Sequence, residues 1–387
     1  MNPVKKTLFT LLAILLSVLL VAIAGELATR LFLNSRTMQT WIEMHDRGFM
    51  MNQSGGSAYH QHRGREVVYH FSKSRLRVVH PPEETETNSD SYRILLLGDS
   101  FTYGLLLPAE KTMAHQLQQK ADRWTKKHNL DKRIEIVNGG VGGSGTANMY
   151  AWLRHFGEET EPDMVIPVMN SNDVQRSISR NLYILPDYYS GTAQASSADS
   201  LIHSQRWEVT WFKHAMEALP GYRYFQKNSQ LFSLMVNGAW GMFYFRDLTD
   251  NFSQQKSTVP IPDSVAWKPS QNYSSKLTHG LYQNMKSWCR EREIRFSVAT
   301  TGFMQPKKMD KFTAEFYQTA DSFFSAQSIP FLDISQSLER KVGGDFKAIQ
   351  IKNDSHPNEE GNALMAELLW NRLRPLLEEK ILPTSGN

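Results

Sequence analysis

From Tyr92 onward the apolar positions fall into short runs separated by stretches of helical period. Arg93-Ile94-Leu95-Leu96-Leu97 is a continuous apolar run, the pattern of a strand buried on both faces. A helical pattern follows over about 109–127, then a second strand at 134–138, a glycine-rich turn and a helix over roughly 146–156. Residues 164–169, 294–299 and 331–334 form the third, fourth and fifth strands. A helix at about 281–292 precedes the fourth, and a last helix covers about 360–380. Strands that alternate with helices call for right-handed crossovers. The pattern therefore predicts the α/β class: a three-layer α/β/α sandwich around a parallel five-stranded sheet.

The N-terminal part follows another pattern. Residues 8–24 are apolar except for Thr10 and Ser17, and Lys5 and Lys6 precede them. One reading is a secretory signal with Ala22-Ile23-Ala24 as its cleavage site. The other, preferred, is a transmembrane anchor within 1–35. Such a run spans roughly 25 Å as a helix against a hydrocarbon core of ~30 Å. Leu27, Ala28, Leu31, Phe32 and Leu33 prolong it, and no Pro or Gly pair breaks the helix before Asn34. Either way the lysines stay cytoplasmic and the bulk of the chain is exported, which points to the bacterial periplasm.

Residues 36–91 are mixed and polar and end in a linker or long loop at 80–90. Val67-Val68-Tyr69 and Arg77-Val78-Val79 are short strand candidates. Residues 92–387 carry the alternation, interrupted at about 180–290 by an aromatic-rich stretch. It contains Tyr188, Tyr189, Trp207, Trp211, Phe212, Tyr222, Tyr224, Phe225, Trp240, Phe243, Tyr244 and Phe245. The expectation is a largely helical insertion with its own core, or a lid or substrate platform over the site.

Composition narrows the classes. A net charge of +4 over 387 residues leaves no nucleic-acid footprint. An apolar content of 41% excludes a disordered chain. The single cysteine, Cys289, excludes an internal disulfide framework and a cysteine-based metal site. His60 and His62, flanked by Tyr59 and Gln61, are the only close histidine pair. Without an H-E-x-x-H pattern they read as an exposed loop, so neither a metal nor a cofactor is expected.

In open parallel sheets, ligands sit beyond the carboxyl ends of the strands. Gly98-Asp99-Ser100-Phe101-Thr102-Tyr103-Gly104 follows the first strand, and the turn from Asn138 to Thr146, containing Gly143, follows the second. Asn170-Ser171-Asn172-Asp173 follows the third, and Asp354-Ser355-His356-Pro357-Asn358 precedes the last helix. Singly these are ordinary: a capping serine, a reversing turn, capping Asn and Asp, a loop histidine. Together they supply a nucleophile, a base and donors for an oxyanion on one edge.

On these blocks the chain resembles the SGNH hydrolases, or GDSL esterases and lipases, over about 92–175 and 294–375. Gly98-Asp99-Ser100 is similar to the family's nucleophile block, Gly143 to its glycine, Asn172-Asp173 to its Asn block, and Asp354 and His356 to its acid and base. Asn170 stands where many members have glycine, and Asn353 where many have Asp. Asp354, two residues before the histidine, resembles the spacing of members that act on polysaccharide O-acetyl groups. The resemblance implies a flavodoxin-like sheet and a membrane-anchored envelope serine esterase. Its triad would be Ser100, His356 and Asp354, with Asn353 the alternative to test. Its oxyanion hole would be the N–H groups of Ser100 and Gly143 and the side-chain amide of Asn172. The substrate would be an acyl ester on an envelope glycan or lipid. A glycan on the N-x-S triplet at Asn353 would block that site; such triplets also start at Asn52, Asn251 and Asn272. This fits a bacterial envelope protein better than a glycosylated one.

Three rivals remain. The same groups could pass the acyl group to a polysaccharide beside a membrane-embedded acyltransferase. The chain could be a silent accessory protein, against which the intact Ser/Gly/Asn/His set argues. Gly140-Val141-Gly142-Gly143-Ser144-Gly145 fits a dinucleotide fingerprint, with Glu161 near the acidic position, but an exported protein meets little NAD.

Overall fold

The computed structural model describes residues 3–32, 41–62, 64–80, 91–180, 182–185, 202–203, 218–232, 234–236, 271–305 and 309–381. The first apolar run is one helix, α1 (Pro3–Phe32), with residues 4–24 all exposed. It is long and apolar enough to cross a membrane.

Two antiparallel hairpins follow, β1 (Ile42–Met44) with β2 (Met50–Asn52) and β3 (Ser57–His62) with β4 (Arg65–Phe71). β5 (Arg77–Val78) then pairs antiparallel with β4 and with the main sheet. That sheet contains β6 (Ser91–Gly98), β7 (Arg133–Gly140) and β8 (Met164–Met169). β9 (Tyr183–Ile184) and β10 (Ile202–His203) form a small ladder of their own. β11 (Arg295–Phe296), β12 (Val298–Thr300) and β13 (Phe331–Leu332) complete the main sheet. The order β7-β6-β8-β12-β13 is all parallel and is the flavodoxin-like 2-1-3-4-5 arrangement. The expected five-stranded parallel sheet is present, and β5, β4 and β3 widen it to nine strands with β11.

β6 shows why its run is apolar without a break. Leu95 and Leu97 face one core, closed by α4 (Thr146–Phe156), α7 (Gln271–Arg290) and α8 (Lys311–Ala326). Ile94 and Leu96 face the other, closed by α3 (Met113–Lys127) and α10 (Glu359–Ile381). With period 2 and a core on each side, every position must be apolar. Pro167 in β8 is tolerated because the fourth strand divides there. β11 pairs with β8 as far as Val165 and β12 resumes at Val168, so the ladder lapses beside the residue that has no N–H.

Three sequence expectations change. α7 begins at Gln271, well before 281, its first turns seated by buried Tyr273 and Leu277. α8 was unassigned; Phe312, Phe316 and Ala320 bury at fourfold spacing, and Asp310 caps it by accepting from the N–H groups of Phe312 and Thr313. His60 is not in an exposed loop. It lies on β3, 3% exposed, with its ring 4.9 Å from Trp41 and its Nδ1 3.0 Å from the Tyr69 hydroxyl. Ala58 and His60 share the inward face of β3, and a histidine there reads as polar until its partner strand is known. Burial pushes its pKa down to about 4.

Of the aromatic stretch, Tyr188, Tyr189, Trp207, Trp211, Phe212, Trp240, Phe243, Tyr244 and Phe245 lie outside the described residues. Tyr222, Tyr224 and Phe225 belong to α6 (Tyr222–Asn228), which is joined to the end of α1.

Candidate active site

β6 stops at Gly98, and Asp99 opens a one-turn helix, α2 (Ser100–Tyr103), by accepting from the Phe101 N–H at 2.8 Å. Ser100 is thereby turned out at the carboxyl edge of the sheet beside β8, where the strand order reverses. This helix is a single turn, and α3 starts only at Met113, so a helix dipole adds little at the serine.

The opposing loop precedes α10. Gln350 and Pro357 form a bridge, the Ile351 N–H donates to the His356 carbonyl at 2.9 Å, and the Asp354 N–H donates to the Ile351 carbonyl at 2.9 Å. This narrow turn carries Asp354 and His356 on one short span. His356 Nε2 lies 2.8 Å from Ser100 Oγ, and His356 Nδ1 lies 2.5 Å from Asp354 Oδ1. The Asp354 carboxylate also accepts from the His356 backbone N–H at 2.9 Å, which orients it. Ser100 is 5% exposed, and the Phe101 ring stands 5.3 Å from the imidazole. Asn353, the alternative acid position, occupies the tip of the turn at φ 61° and is exposed; the residue that meets the imidazole is Asp354.

Gly143 lies in a tight turn held to the end of β6. The Val141 N–H and the Ser144 hydroxyl both donate to the Gly98 carbonyl, at 2.9 and 2.7 Å, and the Ser144 N–H donates to the Val141 carbonyl at 3.1 Å. Gly143 takes the third turn position at φ 77°, which calls for glycine. Asn172 is half-buried in the turn that opens α5 (Asp173–Arg180), and its carbonyl accepts from the Arg176 N–H at 3.0 Å. The three loops that follow β6, β7 and β8 thus carry Ser100, Gly143 and Asn172 at one edge.

A buried network below these loops escaped the sequence reading. Asp99, fully buried, accepts from Asn170 Nδ2 at 2.8 Å and from Arg176 Nη1 at 2.7 Å. Arg176 Nη1 also donates to the Ser144 carbonyl at 3.0 Å and lies 3.9 Å from the Asp173 carboxylate. Thr301, after β12, donates to Asn170 Oδ1 at 3.0 Å. One guanidinium therefore ties together the loops after β6, β7 and β8. Burial works against its charge, but Asp99 and Asp173 outweigh that and hold its pKa above the usual value. Asn170, the departure from glycine, links Asp99 to Thr301. A lone arginine in a short helix carries no such signal, although Asn in place of glycine could have drawn attention to the position.

A second support comes from residues 36–91. Arg77 of β5 is buried and donates to the carbonyls of Tyr103, Gly104 (2.7 Å) and Leu107, just past the turn of Ser100. Asn138 donates to the Thr102 carbonyl at 3.1 Å, and the Leu106 N–H donates to the Tyr69 hydroxyl at 3.0 Å. The glycines of the dinucleotide-like run serve contacts within the chain. A Cβ on Gly140 would come 2.5 Å from the Tyr103 nitrogen, and one on Gly145 2.8 Å from the Asp173 carbonyl oxygen.

No family model and no curated protein matches the sequence. Among solved structures, the chain is similar to TesA at 14% identity and a TM-score of 0.39, over 74% of this chain and 99% of that one. It is similar to the psychrotrophic esterase EstA from Pseudoalteromonas sp. at 11% identity and 0.40, over 74% and 100%. The lipase/acylhydrolase from Enterococcus faecalis is similar at 13% identity and 0.38, over 73% and 96%.

Proposed function

We propose that the chain is a serine esterase of the SGNH kind, bound to a membrane by α1 and acting on an O-acyl group of an envelope glycan or lipid. The observation that carries this reading is the relay Ser100 Oγ to His356 Nε2 to Asp354 Oδ1, at 2.8 and 2.5 Å. A hydroxyl is a weak nucleophile until a base takes its proton. With Nδ1–H donating to Asp354, Nε2 is free to accept the Ser100 proton as Oγ attacks the ester carbonyl. Asp354 stabilises the imidazolium that forms. The carbonyl oxygen becomes an oxyanion, and the Ser100 and Gly143 N–H groups and the Asn172 amide are its donors. His356 returns the proton to the leaving alkoxide and leaves an acyl-serine. Water, activated by the same imidazole, releases the acid. A sugar hydroxyl in place of that water would complete an acyl transfer.

Ser100→Ala tests the reading. Turnover of p-nitrophenyl acetate is expected to fall by about 10³-fold or more while the protein stays folded. A serine-directed phosphonate is expected to label the Ser100 peptide by mass. Equal turnover by wild type and variant on both this ester and a glycan-linked acetate would sink the mechanism. Product analysis with a glycan acceptor separates hydrolysis from transfer.

A further inference from the structure

Outside α1, the large apolar side chains exposed among the described residues are Val68 and five residues of one short piece of chain: Leu219, Tyr224, Phe225, Leu234 and Met235. These five are 45–66% exposed. The piece is not loosely attached. Tyr222 and Val236 are buried against Phe232, which gives it a small core of its own. α6 runs through Asn228, and residues 230–232 and 234–236 are helical again.

At the break between the two helical stretches, the piece is bound to α1. The Glu26 carboxylate accepts from the Ser229 hydroxyl at 2.7 Å, the Gln230 N–H at 3.0 Å and the Leu231 N–H at 2.9 Å. Arg30, paired with Glu26 at 2.7 Å, donates to the Asn228 carbonyl at 2.8 Å. An anion thus meets the start of one helical stretch and a cation the end of the other, the signs that helix termini favour. Gly25 leaves room for Leu231, since a Cβ there would come 2.8 Å from Leu231 Cδ2.

The position along α1 is what gives the exposed residues meaning. Glu26 lies two residues past Ala24, the end of the apolar run, or about 3 Å along a helix axis. A piece held at Glu26 sits where hydrocarbon gives way to headgroups. Aromatic rings such as those of Tyr224 and Phe225 are at home at that level. The charged groups that α1 presents there, Glu26 and Arg30, pair with each other and take further hydrogen bonds from the piece.

We propose that residues 219–232 and 234–236 form an interfacial foot that rests in the outer leaflet of the lipid bilayer beside α1, with Leu219, Tyr224, Phe225, Leu234 and Met235 facing the acyl boundary. This rests on the membrane-anchor part of the function proposed above. Interfacial helices bury their apolar face about 5–10 Å below the headgroups. The foot gives the extracytoplasmic domain a second point of contact besides α1, which limits its tilt over the membrane.

The test uses the full chain in vesicles of phosphatidylethanolamine and phosphatidylglycerol, with a fluorophore on single cysteines at Phe225→Cys, Met235→Cys, Leu16→Cys and Lys347→Cys. Cys289 is fully buried and its thiol is pushed up to about 12, so it stays unlabelled. Ester turnover reports that each labelled protein is folded. Labels at 225 and 235 are expected to be quenched at least about twofold more by nitroxide near the lipid headgroup than by nitroxide deep in the acyl chain. They should also be shielded from aqueous iodide relative to exposed position 347, and the label at 16 should respond to the deep nitroxide. Iodide access at 225 and 235 equal to that at 347, with position 16 in lipid, overturns the foot and leaves the anchor intact. Shielding of 225 and 235 from both iodide and lipid nitroxide shows a protein covering, a second copy or a partner, and also overturns it. A label at 16 that meets no lipid nitroxide overturns the anchor, and the foot with it.

Discussion

In the proposed mechanism Ser100, His356 and Asp354 each have one job, and substitutions separate them. Asp354→Asn keeps the shape but removes the anion that holds the Nδ1–H tautomer, so kcat is expected to fall by about 10²–10⁴-fold. Asn353→Gly preserves the positive φ and is expected to leave steady-state turnover close to wild type. The reverse order of losses would make position 353 the one that matters. Arg176 is a different case, because it touches loops rather than substrate. Replacing it by Ala strands the buried Asp99 and Asp173 carboxylates without their cation, and the expected cost is about 3–5 kcal/mol in denaturant unfolding. Arg176→Lys is expected to recover only part of this. A single ammonium lacks the planar guanidinium's reach to serve Asp99 and the Ser144 carbonyl together. The candidates were legible because the serine, the glycine and the asparagine each sit just beyond an apolar run, and Asp354 and His356 sit just before the last helix. Arg176 was not, since its partners come from three separate loops.

Among elements, the parallel strands and their helices were the most legible part, because a strand buried on both faces leaves an unbroken apolar run. The antiparallel strands β3 to β5 were harder. Their inward face mixes Ala58, Val67, Tyr69 and Arg77 with a histidine. That histidine makes a pH prediction. His60 has a folded pKa of about 4 against an ordinary value of 6.5, both because burial disfavours its charge and because His62 is near. A depressed folded pKa means that the unfolded chain binds the proton first as pH falls. Stability from this group is therefore complete above about pH 6.5 and is lost towards pH 4, by about 3 kcal/mol. Thermal unfolding followed between those limits should show the loss shrink by roughly that amount in His60→Gln. His279, pushed to about 4 by burial, contributes a loss of the same sign. An unchanged pH slope in the His60 variant would mean that the ring is solvated.

For the whole molecule, the decisive relation is between α1 and the domain that carries Ser100, Asp354 and His356. Glu26 and Arg30 of α1 bond to residues 228–231, and the Ser100–His356–Asp354 contacts are made within the 92–387 part of the chain. A chain beginning after residue 40 is therefore expected to keep p-nitrophenyl acetate turnover in detergent but to lose sedimentation with membranes. Loss of turnover as well would tie the site to α1. Local periodicity was enough to establish the α/β class, the parallel strands and the apolar N-terminal helix, because each of these leaves its mark within a few neighbouring positions, and the resemblance carried by the end blocks pointed to Ser100, Asp354 and His356. Pairings between distant positions left no such mark. Folding alone brought Arg77 under the turn of Ser100, Arg176 among three loops, and Ser229 to Leu231 onto Glu26. A buried polar contact is specified by two partners at once, and in a linear chain either partner alone looks like any other surface residue.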